Sequence, residues 1–368
     1  MAQAIIDLGA VAHNVRVLSR AAGAAGVMAV VKADGFGHGA VEVARTALRH
    51  GATRLGVTSP DEALALRAAG IDAPMLLWLY PPDESFADVL AAGVEVAASR
   101  AEALEEIAAA AHSLGVVAGV HLEADTGLSR GGAPAGDWPD LVDAARRLEK
   151  GGTIEVTGLW SHLASAEDVD GDGLRRQLDA FAAFRRAALS AGLEPRHVHL
   201  ANSAATLQVP EARYTLVRPG IGVYGVEPVP GRSFGLRPAM TVTARVLRTM
   251  RVPAGTGVSY GWDHVIDRET TLAQIPLGFA DGVPRSTGGR AGLLAHGVRR
   301  PIVGRVTMDQ VVLDVGDLPV VAGDTVVMFG PGDAGEPTVE EWAAWAGTNP
   351  HEILTGIGAR VHRIHLPD

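Results

Sequence analysis

Polar side chains able to do chemistry recur at the ends of apolar runs in this sequence. Val30-Val31-Lys32 closes one such run with an amine. Burial disfavours the ammonium form, so a lysine in that position can serve as nucleophile or base. The plain alternative is a side chain that reaches past the core into solvent. The next segment, Ala33-Asp34-Gly35-Phe36-Gly37-His38-Gly39, is a glycine-rich loop of the kind that lets backbone approach a ligand closely. The same arrangement returns at His121-Leu122-Glu123-Ala124-Asp125-Thr126-Gly127-Leu128-Ser129-Arg130 and at Trp160-Ser161-His162. It returns again at His197-Val198-His199-Leu200-Ala201-Asn202-Ser203 and at Val217-Arg218-Pro219-Gly220-Ile221-Gly222. A single buried polar residue is usually a satisfied core group. Several at one rim make a site.

Other chemistries are absent from the pattern. There is no cysteine, which removes disulfides, thiolate metal sites and cysteine nucleophiles together. His197 and His199 face the same side of a strand, but no carboxylate cluster accompanies them, so no metal site is expected. No Walker loop, no Gly-x-Gly-x-x-Gly after a strand and no Gly-x-Ser-x-Gly elbow occurs. The formal net charge of −10 argues against nucleic acid as a partner. Met1 to Leu8 lacks a basic n-region and a long apolar stretch, and no apolar run is long enough to span a bilayer. A soluble cytoplasmic protein without a membrane partner is the expectation.

The elements that must position these groups are parallel strands. Val27–Lys32, Arg54–Thr58, Met75–Leu79, Val94–Ala98, Val117–Glu123, Glu155–Ser161, His197–Ala201 and Thr215–Arg218 are continuous apolar or β-branched runs, as strands buried on both faces should be. The segments between them read as helices. Ser59-Pro60-Asp61-Glu62 is a capping box with proline in the first turn, and Ser99 with Glu102 repeats the box. Eight strand–helix units in this length fit a (β/α)8 TIM-like barrel, with an open doubly wound sheet as the alternative. In such a barrel the C-terminal strand ends carry the chemistry. After the Gly/Pro-rich stretch Gly225–Gly235 the texture changes to short strands, Thr241–Val246, Thr271–Pro276, Pro301–Val306, Val311–Val315 and Thr325–Phe329, with a helix at Val339–Ala346. The expected organisation is a barrel over 1–230 and a β-rich C-terminal domain over 231–368.

Taken together, these residues resemble the alanine racemase family, two-domain enzymes that use pyridoxal 5'-phosphate. The likeness rests on Ala29-Val30-Val31-Lys32-Ala33 with Gly37-His38-Gly39, Asp125-Thr126-Gly127 with Arg130, Asn202-Ser203 and Val217-Arg218-Pro219-Gly220-Ile221. It continues through Gly257-Val258-Ser259-Tyr260-Gly261, Ala280-Asp281-Gly282, and Gly304-Arg305 with Met308-Asp309-Gln310. The resemblance implies that Lys32 carries the cofactor as an internal Schiff base. It implies that Asn202, Ser203 and the backbone N–H groups of Gly220 and Ile221 hold its phosphate. Arg218 would face the pyridine nitrogen, His199 would orient Arg218, and His162 would lie beside the cofactor. A guanidinium is a permanent donor, so that nitrogen would stay unprotonated and the ring would be a weaker electron sink. Racemisation of a small amino acid, alanine by default, would use Lys32 on one face of the α-carbon and Tyr260 on the other. Arg130 and Met308 would bind substrate, with Asp309 in support. The family's head-to-tail homodimer would bring the lysine and tyrosine of different chains together.

The sequence departs from the family's pattern at Glu123, Phe36, Phe279 and His351, and Trp262, Asp263 and His264 after Tyr260 are also atypical. Glu123 stands where many relatives carry a lysine that becomes carbamylated; it supplies an anion beside Arg130 without modification. Phe36 replaces a tyrosine that binds phosphate, and Phe279 replaces a tyrosine near the entrance. His351 replaces a tyrosine that borders the substrate pocket and braces the catalytic one, so a broader or non-alanine amino-acid racemase is a second reading. A decarboxylase on the same two-domain plan usually places a cysteine across its dimer interface, and this chain has none. A non-catalytic pyridoxal-phosphate-binding relative and a sugar-phosphate enzyme on a bare barrel are the remaining alternatives. Lys32 with Tyr260 speaks against the first, and the β-rich extension against the second.

Overall fold

The computed structural model describes residues 1–368. It comprises two compact units, Ala12–Gly35 with Ala40–Leu236, and Met1–Val11 with Phe36–Gly39 and Arg237–Asp368. The chain opens with β1 (Gln3–Asp7), which belongs to the second of these.

The first unit closes into a barrel of eight parallel strands. These are β2 (Gly26–Val30), β3 (Arg54–Val57), β4 (Met75–Leu77), β5 (Glu95–Ala98), β6 (Ala118–Glu123), β7 (Ile154–Trp160), β8 (His197–His199) and β9 (Leu216–Val217). Closure comes from β9 pairing in parallel with β2, Gly26 opposite Leu216 and Val27 opposite Val217. All eight expected strands are present, and the open-sheet alternative falls. Met28, Leu76, Ala97, Trp160 and Leu216 form a buried cluster contributed by five strands. Full burial of each large apolar side chain is worth about 1.5–3 kcal/mol, which is why the runs are continuously apolar.

The helices begin and end largely as their sequence signals require. Ser59 caps Pro60–Ala68 in a complete capping box with Glu62. Gly70 and Gly93 take positive φ, 78° and 65°, where each helix turns back toward a strand. The second box does not form. Arg100 occupies the cap of Ala101–Leu114 in extended backbone without a side-chain bond, so Ser99 lies one residue too early.

In the second unit the strands are β10 (Met240–Arg245), β11 (Arg248–Val252), β12 (Gly257–Val258), β13 (His264–Val265), β14 (Thr270–Ile275), β15 (Gly292–Ala295), β16 (Val298–Pro301), β17 (Val311–Gly316), β18 (Thr325–Phe329) and β19 (His362–Leu366). They form a six-stranded sheet in the order β16-β15-β18-β10-β1-β19, a three-stranded sheet β11-β14-β17 and the ribbon β12-β13. Two expectations change. The first eleven residues do not accompany the barrel, because β1 pairs antiparallel with β10 and parallel with β19, and β19 has no other neighbour. The strand expected at Pro301–Val306 lies earlier, at β16, and only Ile302 bridges onward to Leu313. A second helix, Pro350–Thr355, follows Val339–Ala346 and carries His351.

Candidate active site

Lys32 stands two residues beyond the end of β2, half-buried at the C-terminal rim. The chain leaves it through an unusual turn. Ala33, Asp34 and Gly35 take left-handed φ of 52°, 53° and 59°, and a non-glycine residue pays roughly 1–2 kcal/mol in that conformation. Hydrogen bonds hold the turn in place. Gly35 N–H donates to Val31 C=O at 2.9 Å, Ala33 N–H to Glu62 Oε1 at 2.6 Å, and Ala40 N–H to Asp34 Oδ1 at 2.9 Å. Tyr224 braces the strand end itself, its hydroxyl donating to Val30 C=O at 2.9 Å. Burial, then the field of Arg130, lowers the Lys32 pKa, while Glu62 acts in the opposite direction.

Around the lysine the rim gathers charge. His162 is held at a pKa of about 3 by burial and by the fields of Arg218, Arg130 and Lys32. Arg218 is buried behind it. Its NH1 donates to His199 Nδ1 and to His199 C=O, both at 3.0 Å. Its NH2 donates to Ser161 C=O at 2.8 Å and to His162 Nδ1 at 3.3 Å. Four of five guanidinium donors are thereby committed, and Nε–H is left for a ligand. Burial brings its pKa down to about 9, so it remains charged at neutral pH. The Trp160 ring lies 4.7 Å from the guanidinium and stacks on His199.

Glu123, at the end of β6, is pushed up to a pKa of about 7 by burial, against the fields of Arg218 and Arg130. It lies against Gly131, and Arg130 itself is exposed. The loop between them is shaped by Asp125, whose carboxylate accepts from Gly127 and Ser129 N–H at 2.9 and 3.0 Å. Asn202 caps the short helix Ser203–Gln208 through Ala205 N–H at 3.0 Å, so its side-chain oxygen serves the helix. Ser203 Oγ accepts from Gly220 N–H at 3.0 Å and Gly222 N–H at 3.1 Å. Both lone pairs are thereby taken, and the hydroxyl proton remains able to donate.

In the other unit Tyr260 is 72% exposed. Ser259 before it takes φ 63° and ψ −168°, a region almost confined to glycine. Its hydroxyl donates to Arg305 C=O at 2.9 Å, and Arg305 pairs with Asp263. A cavity of about 520 Å³ opens beside Tyr260, lined by Ser259, Arg305, Thr307, Gln310 and Met250. Met308 and Phe279 lie on two segments laced together by backbone. Phe279 N–H donates to Thr307 C=O and Ala280 N–H to Met308 C=O, both at 3.0 Å. Arg360 locks them, bidentate on Asp281 at 3.0 Å and reaching Asp309 at 2.7 Å. His351 packs its ring 5.9 Å from Phe36. Arg360, Tyr224 and Trp160 are supporting residues the sequence reading assigned no role.

Sequence profiles assign the two halves. The alanine racemase N-terminal domain matches residues 6–228 and the alanine racemase C-terminal domain residues 239–365. The alanine racemase of Frankia casuarinae is 55% identical over 99% of this chain and 96% of its own length. Among solved structures, alanine racemase from D-cycloserine-producing Streptomyces lavendulae superposes with a TM-score of 0.98 at 46% identity, covering 100% of this chain and 97% of that one. The Bartonella henselae enzyme, solved with covalently bound pyridoxal phosphate, gives 0.89 at 29% identity over 99% of each chain. With a barrel and a β-unit both matched and near-complete coverage throughout, this chain belongs to the alanine racemase family.

Proposed function

We propose that this protein interconverts L-alanine and D-alanine by a two-base mechanism, with pyridoxal 5'-phosphate held on the barrel rim. The observation that carries the reading is the rim itself: a half-buried amine, and a buried guanidinium with one N–H left over.

The residues fit the cofactor. Lys32 supplies the covalent anchor. The Ser203 hydroxyl proton and the Ile221 N–H suit a phosphate, whereas the Gly220 N–H expected to join them is spent on Ser203 Oγ; Asn202 holds that helix end in place. The Arg218 Nε–H suits a ring nitrogen that accepts and is not protonated, because a guanidinium gives up no proton at neutral pH. Phe36 offers no hydroxyl to this group, so one phosphate contact usual in the family is missing.

When bound, pyridoxal phosphate withdraws electrons from an attached amino acid and acidifies its α-proton. The protein's own groups do the rest. Lys32 Nζ, its basicity reduced by burial and Arg130, takes or returns the α-proton on one face. Tyr260 Oη does so on the other. Arg130 holds the substrate carboxylate, and Met308 lines the pocket with its backbone. His199 and His162, both neutral, keep Arg218 in orientation without adding charge. Tyr260 would come from a second copy in a head-to-tail homodimer, in keeping with its exposure.

Purified protein supplied with pyridoxal phosphate and L-alanine should yield D-alanine on chiral chromatography, and in deuterated water the α-proton should exchange. Absence of both with cofactor bound would end the reading. L-serine and L-lysine run in parallel test the wider pocket suggested by His351 against Phe36. Turnover of either at the alanine rate would shift the assignment to a broader amino-acid racemase.

A further inference from the structure

Behind Arg218 a chain of buried polar groups runs the length of the barrel core. His199 Nε2 lies 2.7 Å from His121 Nδ1, and His121 Nε2 lies 3.2 Å from Glu95 Oε2. Glu95 also pairs with Arg54, whose NH1 is 3.1 Å from His197 Nε2. Arg54, Glu95 and His197 each open their strands, whereas Arg218 follows the end of β9. The chain therefore joins the catalytic rim to the opposite end of the barrel.

Donor and acceptor inventories fix every proton along it. Arg218 has only donors, so His199 Nδ1 must accept. Burial and the arginine fields keep both histidines neutral. His199 thus carries its proton on Nε2 and gives it to His121 Nδ1. His121 in turn carries its proton on Nε2 and faces Glu95. An ionised carboxylate only accepts, so the chain closes with each donor matched to an acceptor. A donor in place of Glu95 would reverse both imidazoles and leave two N–H groups facing each other at His199 and Arg218.

The barrel has made room for this chain. A Cβ on Gly158 in β7 would stand 2.1 Å from His121 Nδ1, and one on Gly119 in β6 would stand 2.9 Å from Glu95 Cγ. Glycine weakens a strand interior, and its presence marks a close approach. Two strand side chains are missing where the two relay members lie.

We propose that Glu95 is a positioning residue for the racemase. It sets the tautomers of His121 and His199 from the far end of the barrel, so that Arg218 spends its NH1 on His199 and keeps Nε–H for the cofactor ring. The inference rests on the function proposed above, and its test is independent of turnover.

In cofactor-free protein labelled with 15N-histidine, His121 and His199 should both read as neutral Nε2–H tautomers. A protonated Nδ1 on His199 overturns the proposal whatever the activity. Glu95→Gln retains an oxygen acceptor for His121 and Arg54, and should keep the tautomers and the spectrum of the bound cofactor. Glu95→Leu with Arg54→Met removes the ion pair without stranding a charge. In that variant His199 should populate both tautomers, the cofactor absorption maximum should move, and kcat should fall about tenfold with KM little changed, the order expected for one misplaced charged hydrogen bond. A folded double variant with wild-type nitrogen shifts and spectrum refutes the idea. If that variant does not fold, Glu95→Leu alone is read in the same way, and wild-type nitrogen shifts and spectrum in it refute the idea. Wild-type protein that shows these tautomers but forms no D-alanine would fault the functional reading and leave the relay standing.

Discussion

Tyr260 sits on backbone that a residue other than glycine rarely adopts, since Ser259 before it combines φ 63° with ψ −168°. The strain is held by the Ser259 hydroxyl on Arg305 and by the Arg305–Asp263 pair. Tyr260→Phe removes only the proton-carrying oxygen. Racemisation should fall by about 10²–10⁴-fold, the usual worth of a positioned acid or base, while absorbance of the bound cofactor persists; a coupled D-alanine assay beside a spectrum measures both. Glu123 gives a pH prediction. Its folded pKa of about 7 lies above the ordinary carboxylate value because it is buried. A group raised in this way contributes stability below its unfolded pKa and loses it as pH rises through 7. Glu123→Gln should therefore raise the melting temperature relative to wild type at pH 8.5 by more than at pH 5, and scans at both values check the sign. If Glu123 also orients Arg130 through its charge, the same variant should lose turnover while its affinity for the cofactor changes little.

The turn after Lys32 shows what an element can do that its residues do not announce. Ala33-Asp34-Gly35 reads in sequence as a permissive glycine loop, yet it is a left-handed turn stapled by Glu62 and Asp34. Ala33→Gly should relieve the strain and stabilise the fold by about 1 kcal/mol, less what the freer unfolded chain takes back. Turnover should drop as the lysine loses its fixed exit, so thermal melts and kcat should move in opposite directions. The barrel strands were legible because burial on both faces demands unbroken apolar runs. Strands β1 and β19 were not. They are short edge partners whose pairing spans almost the whole chain, Gln3 opposite His362, and nothing local encodes it. Strand β11 has no buried residue, with two of its five half-buried, and carries arginines, so its pattern resembles a loop. At the site, Lys32, Arg218 and Ser203 were readable because they end apolar runs. Glu95 opens its strand at the other end, and only barrel closure brings it to His121.

At the scale of the whole molecule, the two groups proposed to move the proton belong to different units of the chain, Lys32 with the barrel and Tyr260 with the β-rich part. Tyr260, Trp262 and Met308 are 72%, 72% and 56% exposed, more apolar surface than a substrate residue, its neighbour and a pocket residue should leave open in a working enzyme. The proposed homodimer would cover them with a second copy and share the site at the same time. Genetic complementation separates a shared site from a private one. Lys32→Ala and Tyr260→Phe chains should each be inactive alone. If sites are shared, a heterodimer of the two carries both lesions in one site and neither in the other. Random re-pairing of equal amounts makes half the dimers mixed, with half their sites intact, so activity should recover to about a quarter of wild type. If each chain builds its site from its own lysine and tyrosine, every site in the mixture keeps one lesion and no activity returns. Subunit exchange, verified by mass on differently tagged chains, makes either outcome readable.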